Sequence, residues 1–117
     1  MSPDDEKPLE LDVEDRGRAT IVRIIGSAGM NEAEGLRLDL EQLASRAIPV
    51  IVLDISDMDF ISSLGLGAII SAHLKCRHHN GQIRLVKPRP AVLKLLETTR
   101  LTKLFPVYQT VEQALTG

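Results

Sequence analysis

From Leu9 the chain alternates, with Leu9, Leu11 and Val13 separated by Glu10, Asp12 and Glu14, the period of a strand with one buried face. Arg16-Gly17-Arg18 reads as a turn, and Ala19 to Ile25, with its Ile21-Val22 and Ile24-Ile25 pairs, as a second strand. A turn this short predicts an antiparallel pair. After the Gly26 to Gly29 stretch the period changes. Leu36, Leu40, Leu43 and Ala47 recur at helical spacing, with Asn31 as the expected N-cap and Glu34 as its capping-box partner. Pro49 closes that helix and opens Val50-Ile51-Val52-Leu53, an uninterrupted aliphatic run of the kind found in strands covered on both faces.

A second helix is predicted from Ser63 to His79, closing on Asn80-Gly81 in a left-handed cap. Ile83, Leu85 and Val86 make the next strand, which Pro88 and Pro90 end. Pro90 also suits the first turn of a third helix carrying Val92, Leu95, Leu96 and Leu101. Phe105 to Tyr108 reads as a last short strand and Val111 to Leu115 as a terminal helix. Residues 1–8 hold two prolines and four charges, the composition of a solvated tail, so residues 9–117 are expected to form one domain. Strands alternating with helices predict an α/β fold: a mixed sheet with an antiparallel strand at its start, mostly parallel strands after it, and about four covering helices.

Composition narrows what such a domain can do. Phe60, Phe105 and Tyr108 are the only aromatics among 117 residues, so the core is aliphatic and stacking platforms for single-stranded nucleic acid are scarce. The 14 basic residues are outnumbered by 16 acidic ones, for a net charge of −2. That balance lacks the basic field of a phosphate-backbone binder, and no direct nucleic-acid partner is expected. A lone Cys76 forms no internal disulfide and fits a reducing compartment. The acidic start is unlike a signal peptide, and no apolar run approaches the ~20 residues of a membrane span. The expectation is a soluble cytoplasmic protein without membrane insertion.

Catalytic readings find little equipment. A serine hydrolase needs a base beside its nucleophile. His73, His78 and His79 lie on the second helix, on the order of 15 Å or more from Ser63 at the helical rise. His73, Cys76 and His79 are spaced at i, i+3 and i+6 but lack the second cluster that a four-ligand zinc site requires. A receiver domain with Asp54 as phosphoacceptor would need an acidic pair after the first parallel strand, where Gly26-Ser27-Ala28-Gly29 offers no carboxylate. The Gly26 to Gly35 spacing matches neither a dinucleotide fingerprint nor a P-loop. No enzyme activity, intrinsic cofactor or metal is expected.

The informative stretch runs from Asp54 to Gly67, leaving the end of the central strand and entering the second helix, where α/β sheets place their sites. Ser63 fits the N-cap, accepting from the amide of Gly65 or Leu66. Gly65 and Gly67 each forgo about 1 kcal/mol of helix propensity relative to Ala. They imply close backbone approach, to a neighbouring strand or to a partner. The order of residues resembles the signature of STAS domains, the family of anti-sigma factor antagonists. It has an Asp-x-Ser after the third strand (Asp54, Ser56), a Phe (Phe60), a serine-containing loop (Ser63), then Gly65-Leu66-Gly67 on a helix. The similarity continues through Pro90, Leu96-Glu97-Thr98, Leu101 and Val111-Glu112-x-Ala114-Leu115, and so covers most of residues 9–115.

The resemblance implies a phosphorylation-controlled binding switch. Ser63, with Ser62 as the second candidate, would be phosphorylated by a partner serine kinase that is usually also the anti-sigma factor. The unphosphorylated form would bind that partner, and a cognate phosphatase would reset it. The docking surface is expected at Asp54, Ser56, Asp57, Asp59, Ser62, Leu64, Gly65, Leu66 and Gly67, where a like-charge or desolvation clash brought by an added phosphate would release the partner. Two alternatives stand beside it: a STAS adaptor or scaffold subunit of a signalling or transport assembly that is never phosphorylated, and a small-ligand sensor with a nucleotide contact at Gly29, Ser56 and Ser63. The chain departs from the family pattern at Ser62 and Gly29, where acidic residues are usual, at Leu64, where a small residue is usual, and at Arg100, where Gly is usual.

Overall fold

The computed structural model describes residues 9–117; the expected tail at 1–8 lies outside the described residues. The strands are β1 (Glu10–Asp15), β2 (Ala19–Ala28), β3 (Val50–Asp54), β4 (Met58–Ile61), β5 (Gln82–Val86) and β6 (Val107–Tyr108). The helices are α1 (Ala33–Ala44), α2 (Ser63–Arg77), α3 (Pro90–Thr98) and α4 (Val111–Thr116), with a 3-10 turn at Leu101–Lys103. The sheet runs β1-β2-β3-β5-β6, and only β1 is antiparallel, as the alternation of strand and helix predicts.

Side-chain alternation along the strands divides the core. Val22, Ile24, Ile51, Leu53, Ile83 and Leu85 meet Leu36 and Leu40 of α1, Ile69 and Ala72 of α2, and Val92 and Leu96 of α3. On the other face Ile21, Val52 and Val86 are covered by Ala114, Val111 and Leu115 of the short α4. The aliphatic β3 is therefore buried on both sides.

β2 serves two neighbours in turn. Ala19 to Arg23 pair with β3, and Gly26 to Ala28 pair with β4, with a register shift between Gly26 and Ser27. Gly26 makes that change of neighbour at φ +107°, a backbone conformation open to glycine at little cost. β4 lies inside the stretch that the sequence reads as loop. Met58 and Ile61 point in while Asp59 and Phe60 are both exposed, so a strand of four residues shows no period of two.

Several boundaries differ from the sequence reading. The N-cap position of α1 falls on Glu32 instead of Asn31, and no side chain caps the helix. The expected capping-box partner Glu34 is held instead by Arg37 at 2.7 and 2.8 Å. Ala47, expected on the helix, lies past its end at φ +60°. α2 stops at Arg77 in place of His79, and Asn80 takes the expected left-handed turn at φ +59°. A Cβ on Gly81 would stand 2.7 Å from the Ile48 carbonyl oxygen. Leu101 belongs to the 3-10 turn and not to α3, because Arg100 adopts φ +62° and breaks the helix.

Candidate functional site

The site begins where β3 ends. Asp54 accepts from the Ser56 amide at 3.0 Å and from the Ser56 hydroxyl at 2.7 Å, so its carboxylate is spent on turning the chain. Arg23 of β2 pairs with Asp57 at 2.9 Å. Arg89, at the start of α3, donates to the Ser56 carbonyl at 3.0 Å and pairs with Asp59. Asp57 and Asp59, both expected on the docking surface, thus each carry an arginine partner. That removes much of the local negative charge the sequence suggests.

β4 then carries the chain to α2. The Ser62 amide donates to the Ala28 carbonyl at 2.8 Å, which prolongs the strand pairing by one residue. Helical geometry therefore starts at 63, and Ser62 is the N-cap: its Oγ accepts from the Gly65 amide at 3.1 Å and its carbonyl accepts from the Leu66 amide at 2.9 Å. The cap expected of Ser63 belongs to Ser62, which is only 9% exposed. Ser63, one residue on, is exposed, and among the described residues its hydroxyl makes no hydrogen bond.

The two helix glycines have different reasons. A Cβ on Gly65 would stand 2.8 Å from Ile61 Cγ1 and 3.1 Å from the Ala28 carbonyl oxygen, so packing against β4 and β2 requires it. Gly67 is exposed, and a Cβ there would meet nothing within 4 Å. Leu66, expected on the docking surface, packs into the core, because its helical position faces the sheet. Gly65 is buried with it, while Leu64 is 52% exposed.

Beside Ser63 lies a cleft of about 730 Å³ lined by Gly29, Met30, Glu32, Phe60, Ser62 and Ser63, with Leu95 of α3 at its wall. Met30 is 70% exposed and Phe60 54%, and both line the cleft beside the serine. Gly29 and Ser63 share this cleft; Ser56 is not among its lining residues. Sequence reasoning missed Met30, Glu32 and Leu95 as site residues, and missed the arginines Arg23 and Arg89. A single Met in a glycine-rich loop has no periodicity to mark it. Arg89 and Asp59 are 30 residues apart, beyond any local pattern.

The residues weighed for catalysis or metal binding are dispersed. His73 is buried in the core, with Nδ1 accepting from the Ile83 amide at 3.4 Å and its ring edge-to-face with Phe105 at 5.1 Å. Burial, and then the nearby Arg77, push its pKa below the ordinary histidine value. Cys76 is also buried, which pushes its thiol up to about 11. His78 and His79 are exposed. Among the described residues no group of three or more His, Cys, Asp or Glu side chains is placed to hold a metal ion. No described helix is long and apolar enough to cross a membrane.

Fold and site together define a mixed α/β domain in which a strand-end Asp-x-Ser turn and a serine-capped, glycine-bearing helix frame one apolar cleft. The chain belongs to the STAS domain family, whose model matches residues 10–114. It is 27% identical over 109 residues to the anti-sigma F factor antagonist of Paenibacillus polymyxa, covering 92% of this chain and 93% of that protein. An anti-sigma factor antagonist from Mycobacterium paratuberculosis has a crystal structure that superposes with a TM-score of 0.85 at 29% identity, over 98% of this chain and 95% of the other. The Bacillus cell fate determinant SpoIIAA in its phosphorylated form shares the fold, with a TM-score of 0.72 at 18% identity over 92% and 97% of the two chains.

Proposed function

We propose that this protein is a phosphorylation-controlled antagonist of an anti-sigma factor, binding through the surface around Ser63 and released when Ser63 is phosphorylated. The observation that carries this reading is the division of labour between adjacent serines. Ser62 is committed to the helix cap, while Ser63 presents an unengaged hydroxyl beside exposed Met30, Phe60 and Leu64. The names of the relatives, and the phosphorylated form of SpoIIAA, support the same role.

The physics of the modification agrees with a switch that alters the surface and spares the fold. A phosphate adds about −1.5 to −2 charge, and at the first residue of α2 it meets exposed amides and the positive end of the helix dipole. The first turn of α2 carries no acidic side chain to oppose it. The helix therefore persists, and the added charge falls on an apolar docking surface, where desolvating it costs a partner several kcal/mol. In this reading the chain is substrate and ligand, not catalyst. Its partner is a serine kinase that is itself the anti-sigma factor, its counterpart is a phosphatase, and the cycle runs in the cytoplasm.

Purification from the native host with bound proteins, followed by phosphosite mapping, tests the proposal. Expected are phosphate on Ser63 and a co-purifying serine kinase that binds wild type and Ser63→Ala but not Ser63→Asp. A complex that survives Ser63→Asp, with Ser63 never phosphorylated, would overturn the switch and mark the chain as an adaptor subunit.

A further inference from the structure

Among the described residues that line the Ser63 cleft, Glu32 is the only charged one. It occupies the cap position of α1, yet its side chain makes no cap bond. Among the described residues its carboxylate has neither a hydrogen-bond nor an ion-pair partner. Its backbone does the structural work, with the Glu32 carbonyl accepting from the Leu36 amide at 3.0 Å. The carboxylate instead lies over Gly29: a Cβ placed there would stand 3.0 Å from Glu32 Oε1. Other carboxylates near this end of the sheet are engaged, Asp54 by Ser56, Asp57 by Arg23 and Asp59 by Arg89.

We infer that Glu32 is the residue that converts phosphate on Ser63 into a change of shape at the cleft. The carboxylate and the phosphate share one opening with no cation between them among the described residues, so the two anions repel. Glu32 is the member free to respond, because among the described residues its side chain has no partner, while the Ser63 backbone is held in α2. Phosphorylation therefore shifts the Glu32 side-chain population away from Gly29, leaves that backbone more open, and extends the altered surface from α2 to the start of α1. Glu32 acts as a positioning residue and takes no part in bond making. The inference rests on the proposed modification of Ser63, but its test does not need the kinase.

Phosphoserine is placed at position 63 during translation, and its second ionisation is followed by phosphorus NMR at low salt, where screening over the cleft is weak. A nearby carboxylate disfavours the dianion, so the phosphate pKa of the wild-type chain is expected to exceed that of Glu32→Gln by about 0.3 unit or more, for charges on the order of 10 Å apart in a water-like dielectric. The amide signal of Gly29 should shift between the unmodified and phosphoserine forms, and that shift should shrink in Glu32→Gln. Glu34→Gln, which removes a carboxylate already paired with Arg37, should leave the phosphate pKa unchanged. An identical pKa in wild type and Glu32→Gln would overturn the inference, as would an equal fall in Glu34→Gln or a Gly29 signal indifferent to phosphate. Absence of Ser63 phosphorylation in the host would defeat the proposed cycle while leaving this measurement intact, so the two failures are distinguishable.

Discussion

Ser62 and Ser63 are neighbours in sequence with different surroundings, the first capping α2 and the second exposed, and substitution separates them. Ser62→Ala removes the oxygen that satisfies the Gly65 amide and is expected to lower stability by about 1 kcal/mol, whereas Ser62→Asp should retain the cap. Ser63→Ala should leave stability within a few tenths of a kcal/mol, because its hydroxyl has no described partner. Urea denaturation read as the shift in midpoint at constant slope checks all three. Arg100 offers a test of opposite sign. It holds a left-handed conformation that costs a side-chain-bearing residue about 1 kcal/mol or more, so Arg100→Gly should raise the midpoint despite glycine's greater unfolded entropy. His73 adds a dependence on pH. Burial depresses its pKa in the folded state, so below the ordinary histidine value the unfolded chain binds a proton that the native core refuses. Its contribution is fully present at neutral pH and falls away as pH drops from about 6.5, by at most about 1.4 kcal/mol per pH unit. Wild type should lose more stability than His73→Gln between pH 7 and pH 5; equal losses would show that other groups govern acid sensitivity.

At the scale of elements, α2 is shaped by two glycines that lie two positions apart and face opposite ways. Gly65→Ala would drive a Cβ into Ile61 and the Ala28 carbonyl. It is expected to destabilise by about 1 kcal/mol or more, overpacking exceeding the gain in helix propensity. Gly67→Ala meets open space and should stabilise by up to about 1 kcal/mol. If the partner lies close against this helix, the same methyl weakens the complex even as it strengthens the fold, a combination that thermal melting and affinity measurement would reveal together. Legibility at this scale followed burial. β3 could be read because every residue from Ile51 to Leu53 is covered on both faces, leaving an aliphatic run with no polar interruption. β4 could not, because its adjacent Asp59 and Phe60 both face outward and its pairing depends on β2, some thirty residues earlier in the chain. The cap shifted from Ser63 to Ser62 for the same reason: the strand pairing that fixes where the helix begins is a long-range contact.

For the whole molecule, the motif from Asp54 to Gly67 marks the candidate site, since residue types at a strand end and a helix start are local features. The chemistry around it was less visible. Pairing of Asp57 with Arg23 and of Asp59 with Arg89, and the approach of Met30 and Glu32 to Ser63, arise only when distant segments meet. These contacts change the electrostatic picture. The loop's acidic charge is largely compensated, so the proposed switch would depend on the charge that phosphate itself brings, which would take a net of −2 to roughly −4. Phe60 is exposed there and outside the core. Phe60→Ser should therefore abolish partner capture while moving the unfolding midpoint little, and a large loss of stability would instead assign it a packing role. The most direct test of the account is the affinity of the co-purified kinase for this chain with serine or with phosphoserine at position 63. Phosphoserine is expected to weaken binding at least tenfold, about 1.4 kcal/mol, with the fold unchanged by circular dichroism; equal affinity for the two forms would contradict the proposed switch.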